Sequence, residues 1–140
     1  MSTSATSMSS ANRVVVACMD GERRKGFVFN FSALRDSFRL FPEAKSPQSA
    51  GADLDLRDVK AIFFVKDFSG NRERKDSYAS MDGAHGRRIE VTCRDGEQIL
   101  GTTEAYNAKK LGFFMFPADR DSNNVRIFVV NANVSAVKVL

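Results

Sequence analysis

The feature that most constrains this chain is an internal repeat. The stretch Arg13 to Gly26 and the stretch Arg88 to Gly101 share a Cys, an Asp-Gly-Glu and a later Gly in one register. Cys18 aligns with Cys93, Asp20 with Asp95 and Gly26 with Gly101, always 75 positions apart. The register continues without a gap, so that Phe31 meets Tyr106, Phe38 meets Phe113, Phe41-Pro42 meets Phe116-Pro117, and Val59 and Ala61 meet Val134 and Ala136. Agreement at a single offset predicts a tandem duplication, with one copy at 13–65 and the other at 87–140. Between them, 66–86 has linker composition: Ser69-Gly70-Asn71, a charge run from Arg72 to Asp76, and Asp82-Gly83, with no periodic apolar pattern. Residues 1–12 are rich in Ser, Thr and Ala and lack the basic and apolar regions of a secretory signal, so a disordered tail is expected there.

Each copy reads as β. Val14, Val16 and Cys18 share one parity, and Val15, Ala17 and Met19 the other. In the second copy the first set becomes Ile89, Val91 and Cys93, still apolar, while the second becomes Glu90, Thr92 and Arg94. Period-2 alternation therefore puts the first set inside and the second outside. Asp20-Gly21 and Asp95-Gly96 read as hairpin turns, and Gly26 and Gly101 as bulges or bends early in the next strand. Phe38 to Phe41 and Phe113 to Phe116 are predicted third strands. Leu54 to Leu56, matched by Ile127 to Val130, is the fourth. Val59 to Val65 and Val134 to Leu140 are the fifth, and Asp121 to Asn124 is a polar turn. The expected architecture is all-β, a tandem duplication of a small five-stranded SH3/Sm-like barrel. A unit this small has a marginal core, which predicts that the copies pack together.

Three resemblances follow. Asp20-Gly21, Gly26 and Phe31-Ser32 are arranged as in the first motif of Sm and Hfq-type barrels, and Val59 to Ile62 is similar to the last strand of Hfq-like proteins. Ser32 and Asn107 stand where Sm proteins carry their RNA-contacting Asp. More of the chain resembles an uncharacterised bacterial domain family with a Lys-Ala-x-Phe-Phe-Val-Lys-Asp-Phe-x-Gly segment, here Lys60 to Gly70, and a Gly-Phe-Phe-x-Phe-Pro-Ala-Asp segment leading to Phe-Val-Val-Asn, here Gly112 to Asn131. That resemblance implies no established activity. Asn30-Phe31-Ser32 is similar to part of the PilZ motif for cyclic di-GMP, although Arg35 replaces its Gly and the Arg35-x-x-x-Arg39 spacing follows the motif instead of preceding it.

No catalytic constellation stands out, and a non-enzyme without cofactor is expected. The single His, His85, lies in the linker between glycines, away from any partner that base catalysis needs. Cys18 and Cys93 fall on the inward parity, as core thiols would, and no further Cys or His completes a metal site. The net charge of +4 makes an anionic partner conceivable. Arg23, Arg24 and Lys25 are the basic run best placed to meet phosphates. Phe27 and Phe29 take Thr102 and Glu104 as counterparts, so they predict either a partner-binding surface or a contact with the other copy near Ile99, Leu100 or Phe114. The leading expectation is a cytoplasmic adaptor acting through protein–protein contacts and free strand edges, with a homodimer interface as one form of contact. RNA or DNA binding through Arg23, Arg24, Lys25 and the linker basic residues Arg72, Arg74 and Lys75, with Phe27 or Phe29 stacking on bases, is the alternative. A divergent PilZ-like cyclic-dinucleotide receptor is the third. No apolar run approaches membrane-spanning length.

Overall fold

A computed structural model describes residues 11–29, 31–43, 51–66, 86–118 and 124–140. They form ten strands and two short 3-10 turns, with no α-helix among the described residues. The first five strands are β1 (Ala11–Cys18), β2 (Arg23–Phe29), β3 (Ser37–Leu40), β4 (Ala52–Asp55) and β5 (Val59–Val65). The last five are β6 (Arg87–Cys93), β7 (Gln98–Thr103), β8 (Gly112–Pro117), β9 (Asn124–Val130) and β10 (Val134–Val139). The 3-10 turns, Leu56–Asp58 and Asn131–Asn133, each precede a fifth strand. Ala11 and Asn12, assigned to the tail on sequence, already belong to β1. Leu56, assigned to the fourth strand, opens the first 3-10 turn. Most of the linker, 67–85, and most of the polar turn, 121–123, lie outside the described residues.

Alternation fixes the inward face of β6, but β1 is covered on both faces. Val14 and Val16 enter one core, while Ala17 is buried in the other with Val15 packed against it, which overturns the expectation that Val15 and Ala17 face outward. Val14 and Val16 are fully buried, as are Ile89 and Val91, and Cys18 and Cys93 sit beside them. The hairpins after these strands close in the same way. Cys18 N–H donates to Glu22 C=O at 2.9 Å and Cys93 N–H to Glu97 C=O at 2.8 Å, around Gly21 at φ +91° and Gly96 at φ +94°. Only glycine adopts that φ without strain.

The pairings of the first five strands recur among the last five at the same offset. Val14↔Gly26 becomes Ile89↔Gly101, Val16↔Ile62 becomes Val91↔Val137, Phe38↔Leu54 becomes Phe113↔Val129, and Phe27↔Phe41 becomes Thr102↔Phe116. The register shift at Ala17/Cys18 against β5 recurs at Val134/Ala136 against β6. No bulge interrupts either hairpin at Gly26 or Gly101. Those glycines are needed for close approach instead: a Cβ on Gly26 would lie 2.6 Å from Phe41 O, and one on Gly101 only 1.9 Å from Phe116 O.

Neither half closes into a barrel among the described residues. The strands form an eight-stranded antiparallel sheet in the order β10-β6-β7-β8-β9-β5-β1-β2, and a two-stranded sheet β3-β4. β5 pairs with β1 on one side and with β9 on the other, with Ile62 opposite Phe128 and Phe63 opposite Ile127. This seam explains why β5 is buried along its whole length and reads Val-Lys-Ala-Ile-Phe-Phe-Val: a strand covered on both faces carries apolar residues at both parities. Ile62, Phe64, Phe128 and Val130 face one core with Val14, Val16 and Val28. Ala61, Phe63, Ile127 and Val129 face the other with Ile89, Val91 and Met115. One two-stranded wall thus serves two cores.

Candidate functional site

The basic run and the two phenylalanines lie on β2, one of the two end strands of the large sheet. Arg23 donates to both carboxylate oxygens of Glu97 at 3.2 Å, and its guanidinium lies 5.5 Å from the centre of the Phe63 ring. Glu97 also meets Lys60, whose Nζ donates to Asp95 Oδ2 at 2.7 Å. The four side chains form a cluster joining β2 and β5 to the β6–β7 hairpin. Lys60 is only 6% exposed at its side chain. Burial works against its charge, but the bonds to Asp95 and Glu97 outweigh it and hold the ammonium above the ordinary lysine range. The bond from Lys60, helped by the Glu97 N–H, keeps the Asp95 carboxyl below the ordinary carboxylate range. Arg24 faces Glu22 at 3.5 Å, and Lys25 is exposed. Arg23 and Arg24, both proposed for phosphate contact, therefore already face carboxylates.

Phe27 and Phe29 are half-buried. Phe27 exchanges backbone hydrogen bonds with Phe41 at 2.8 and 2.9 Å, and Arg13 lies 6.0 Å from its ring. Phe29 meets Phe41 edge-on, with ring centres 5.2 Å apart. These ring and backbone contacts fall within the first half. Two aromatics of the first half cross to the second: Phe31, in the loop after β2, meets Phe128 at 5.0 Å and Phe114 at 6.2 Å, and Phe64, itself 5.9 Å from Phe31, meets Phe114 at 5.9 Å. Arg126 lies 4.5 Å from both the Phe64 and Phe114 rings, and burial lowers its pKa from the ordinary arginine value. Of the counterparts, Glu104 is exposed but Thr102 is 2% exposed, so that face of β7 is covered where it meets β8. His85 and Asn30 lie outside the described residues.

A second clamp joins the halves at the 3-10 turns. Asn133 is buried, and its Nδ2 donates to the carbonyls of Val59 at 2.8 Å, Arg57 at 2.9 Å and Leu56 at 3.5 Å. Beside it opens a cleft of about 630 Å³ between the halves, lined by Asp36, Asp55 and Arg57 on one side and Lys110, Leu111 and Asn131 on the other. Its charges are balanced, and Arg57 bonds Asp55 in two places, which depresses the Asp55 carboxyl. Sequence reading missed this cleft because it is made by the junction, not by any one motif. Among the described residues no group of three His, Cys, Asp or Glu side chains is placed to hold a metal. Both cysteines are free and buried, and burial pushes the Cys93 thiol up to about 11.

These observations define a class: an all-β protein built on one long antiparallel sheet, whose halves are locked by a buried lysine cluster and a buried amide. The chain belongs to a family of unknown function (DUF6982), whose model matches residues 10–140. No curated protein and no solved structure is significantly similar to it. No helix among the described residues is long and apolar enough to cross a membrane.

Proposed function

We propose that the protein is a tandem of two five-stranded SH3/Sm-like units, fused through β5 and β9, that works as a non-enzymatic adaptor by taking up a partner's strand at its open edges. The observation that carries this reading is the strand order. Among the described residues β10 pairs only with β6, and β4 only with β3. Unpaired edge groups are a template for strand addition. Val139 and Leu140, at 43% and 48% exposed, place apolar side chains at one of these edges. Recurrence of the within-half strand pairings at one offset supports the tandem description.

Nucleic-acid binding is the second reading. It rests on the net charge of +4 and on the run Arg23, Arg24 and Lys25 along β2, within which Arg23 and Arg24 already face carboxylates. Purification from native cells in low salt, followed by a high-salt wash, separates the two. The adaptor retains protein through the wash and loses it in Val139→Pro, which blocks the β10 edge. A 260/280 nm absorbance ratio that starts high and falls on washing would put nucleic acid first, since phosphate contacts weaken steeply with salt.

A further inference from the structure

The seam between β5 and β9 has an unused counterpart at the two ends of the strand series. Shifting β5 by the repeat offset gives β10, and shifting β9 back by it gives β4. The internal pairs Ile62↔Phe128 and Phe63↔Ile127 map onto Val137↔Asp53 and Lys138↔Ala52. Inside the chain β5 and β9 pair with each other, whereas β10 and β4 each have one open side among the described residues.

The backbone polarity of the two open edges matches. Leu140 N–H donates to Arg88 C=O, so by antiparallel alternation the N–H and C=O groups of Val137 and Val139 point away from β6. Leu56 N–H donates to Asp36 C=O, so the outward groups on β4 and just before it belong to Asp53 and Gly51. These are the residues that the internal register would set opposite Val137 and Val139. Side chains are compatible as well. Tyr106, 39% exposed, occupies the place of Phe31, and it would meet the Arg39–Asp53 pair, where its hydroxyl has a carboxylate to bond.

We propose that β10 of one molecule pairs antiparallel with β4 of a second copy in the register that joins β5 to β9, so that the protein associates head to tail. This rests on the open-edge reading above and names the partner as the chain itself. The contact is heterologous, so it builds a ring or an open filament. It is also weaker than the internal seam. Ser135, Gln98 and Asp58 stand where Lys60, Arg23 and Asn133 hold the internal joint, so the charge cluster and the amide clamp are missing. Asp58 would direct a carboxylate at carbonyls where Asn133 directs a donor.

The test uses two exposed sites on the full chain, Lys138→Cys and Ala52→Cys, which the register makes directly opposite and within disulfide reach. Mixing the two single variants under mild oxidation should give a covalent dimer that grows no further, and a chain carrying both substitutions should give a ladder or a closed ring. Val139→Pro should abolish the cross-link while leaving the circular dichroism unchanged. Asp58→Asn should lower the concentration for half-assembly about tenfold, as expected for one recovered hydrogen bond. A Lys138→Cys variant that cross-links to itself would mean β10 pairs with β10 and would overturn the proposal. So would a mixture that neither cross-links nor sediments above monomer mass at about 0.5 mM, where contacts of this strength are populated. If that mixture stays monomeric while Val139→Pro still strips a co-purified protein, the edge takes a foreign strand and only the self-association falls. If Val139→Pro changes neither readout, the adaptor reading falls with it.

Discussion

Asn133→Ala tests the junction most directly. The Asn133 amide satisfies the carbonyls of Arg57 and Val59 at 2.9 and 2.8 Å, and lies 3.5 Å from that of Leu56. Leu56 C=O keeps a second donor, the Val59 N–H, so it loses little. The other two lose the amide in a site where Asn133 is 8% exposed. A stripped buried carbonyl costs about 1–3 kcal/mol. Arg57 is itself exposed and admits water to one of the two, which points to the lower end, about 2–3 kcal/mol in all. For a domain of this size that is a fall in Tm of roughly 6–15 °C. Asn133→Asp should cost more at neutral pH, because it directs a carboxylate at the same carbonyls, and should recover part of the loss in acid. Thermal unfolding followed by circular dichroism reads both variants. A Tm within about 2 °C of wild type for Asn133→Ala, well inside the expected shift, would refute the idea that this amide locks the halves.

Asp95 is depressed and Lys60 raised by their mutual bond. The Asp95 contribution is present above the ordinary Asp range and is lost as pH falls through the lower folded value. The Lys60 contribution is present below the ordinary Lys range and is lost as pH rises through the higher folded value. Lys60→Met should therefore lower stability at pH 7, where both contributions are present and Asp95 loses its ammonium while Glu97 keeps Arg23, and should flatten the acid limb of a denaturation–pH profile below about pH 4; an unchanged acid limb would contradict it. Cys93, with its thiol near 11, and buried Cys18 should resist iodoacetamide at pH 8 in the native protein and react fully in denaturant, as mass spectrometry would count. Gly101→Ala should destabilise by about 2–4 kcal/mol, more than Gly26→Ala, because its Cβ meets backbone oxygen at the shorter distance; equal chemical-denaturation midpoints would exclude the close-approach explanation.

Much of the local structure is legible in the residues. The inward parity of β6 follows from alternation alone, and Asp20-Gly21 and Asp95-Gly96 carry the φ that their turns require; β1, apolar at both parities, serves both cores. Strand partners are another matter. Val59 to Val65 is plainly a strand, but nothing within it says that its second neighbour is β9 and not β4, since an edge is chosen by the packing of both halves together. The same gap hid the candidate contacts. Lys60 lies in an apolar strand and reads as a surface lysine until the Asp95–Glu97 hairpin is seen above it. Phe31 lies in a loop, where its role in joining the halves leaves no periodic signal, whereas Phe27 and Phe29 stand out in the strand before it. Asn133 was readable only in one respect: its counterpart is Asp58, a loss of donor at a matched position.

The wall formed by β5 and β9 has a consequence for how the chain can be divided. A cut between Val65 and Arg87 would not release two free-standing modules. The first piece would bare the face of Phe63 and Ala61, and the second would lose the strand that backs Ile127 and Val129. Each piece alone should be insoluble or molten, while the pair co-expressed should find each other and reconstitute the native fold. The molecule is therefore a natural candidate for a split-protein pair whose halves report proximity by folding.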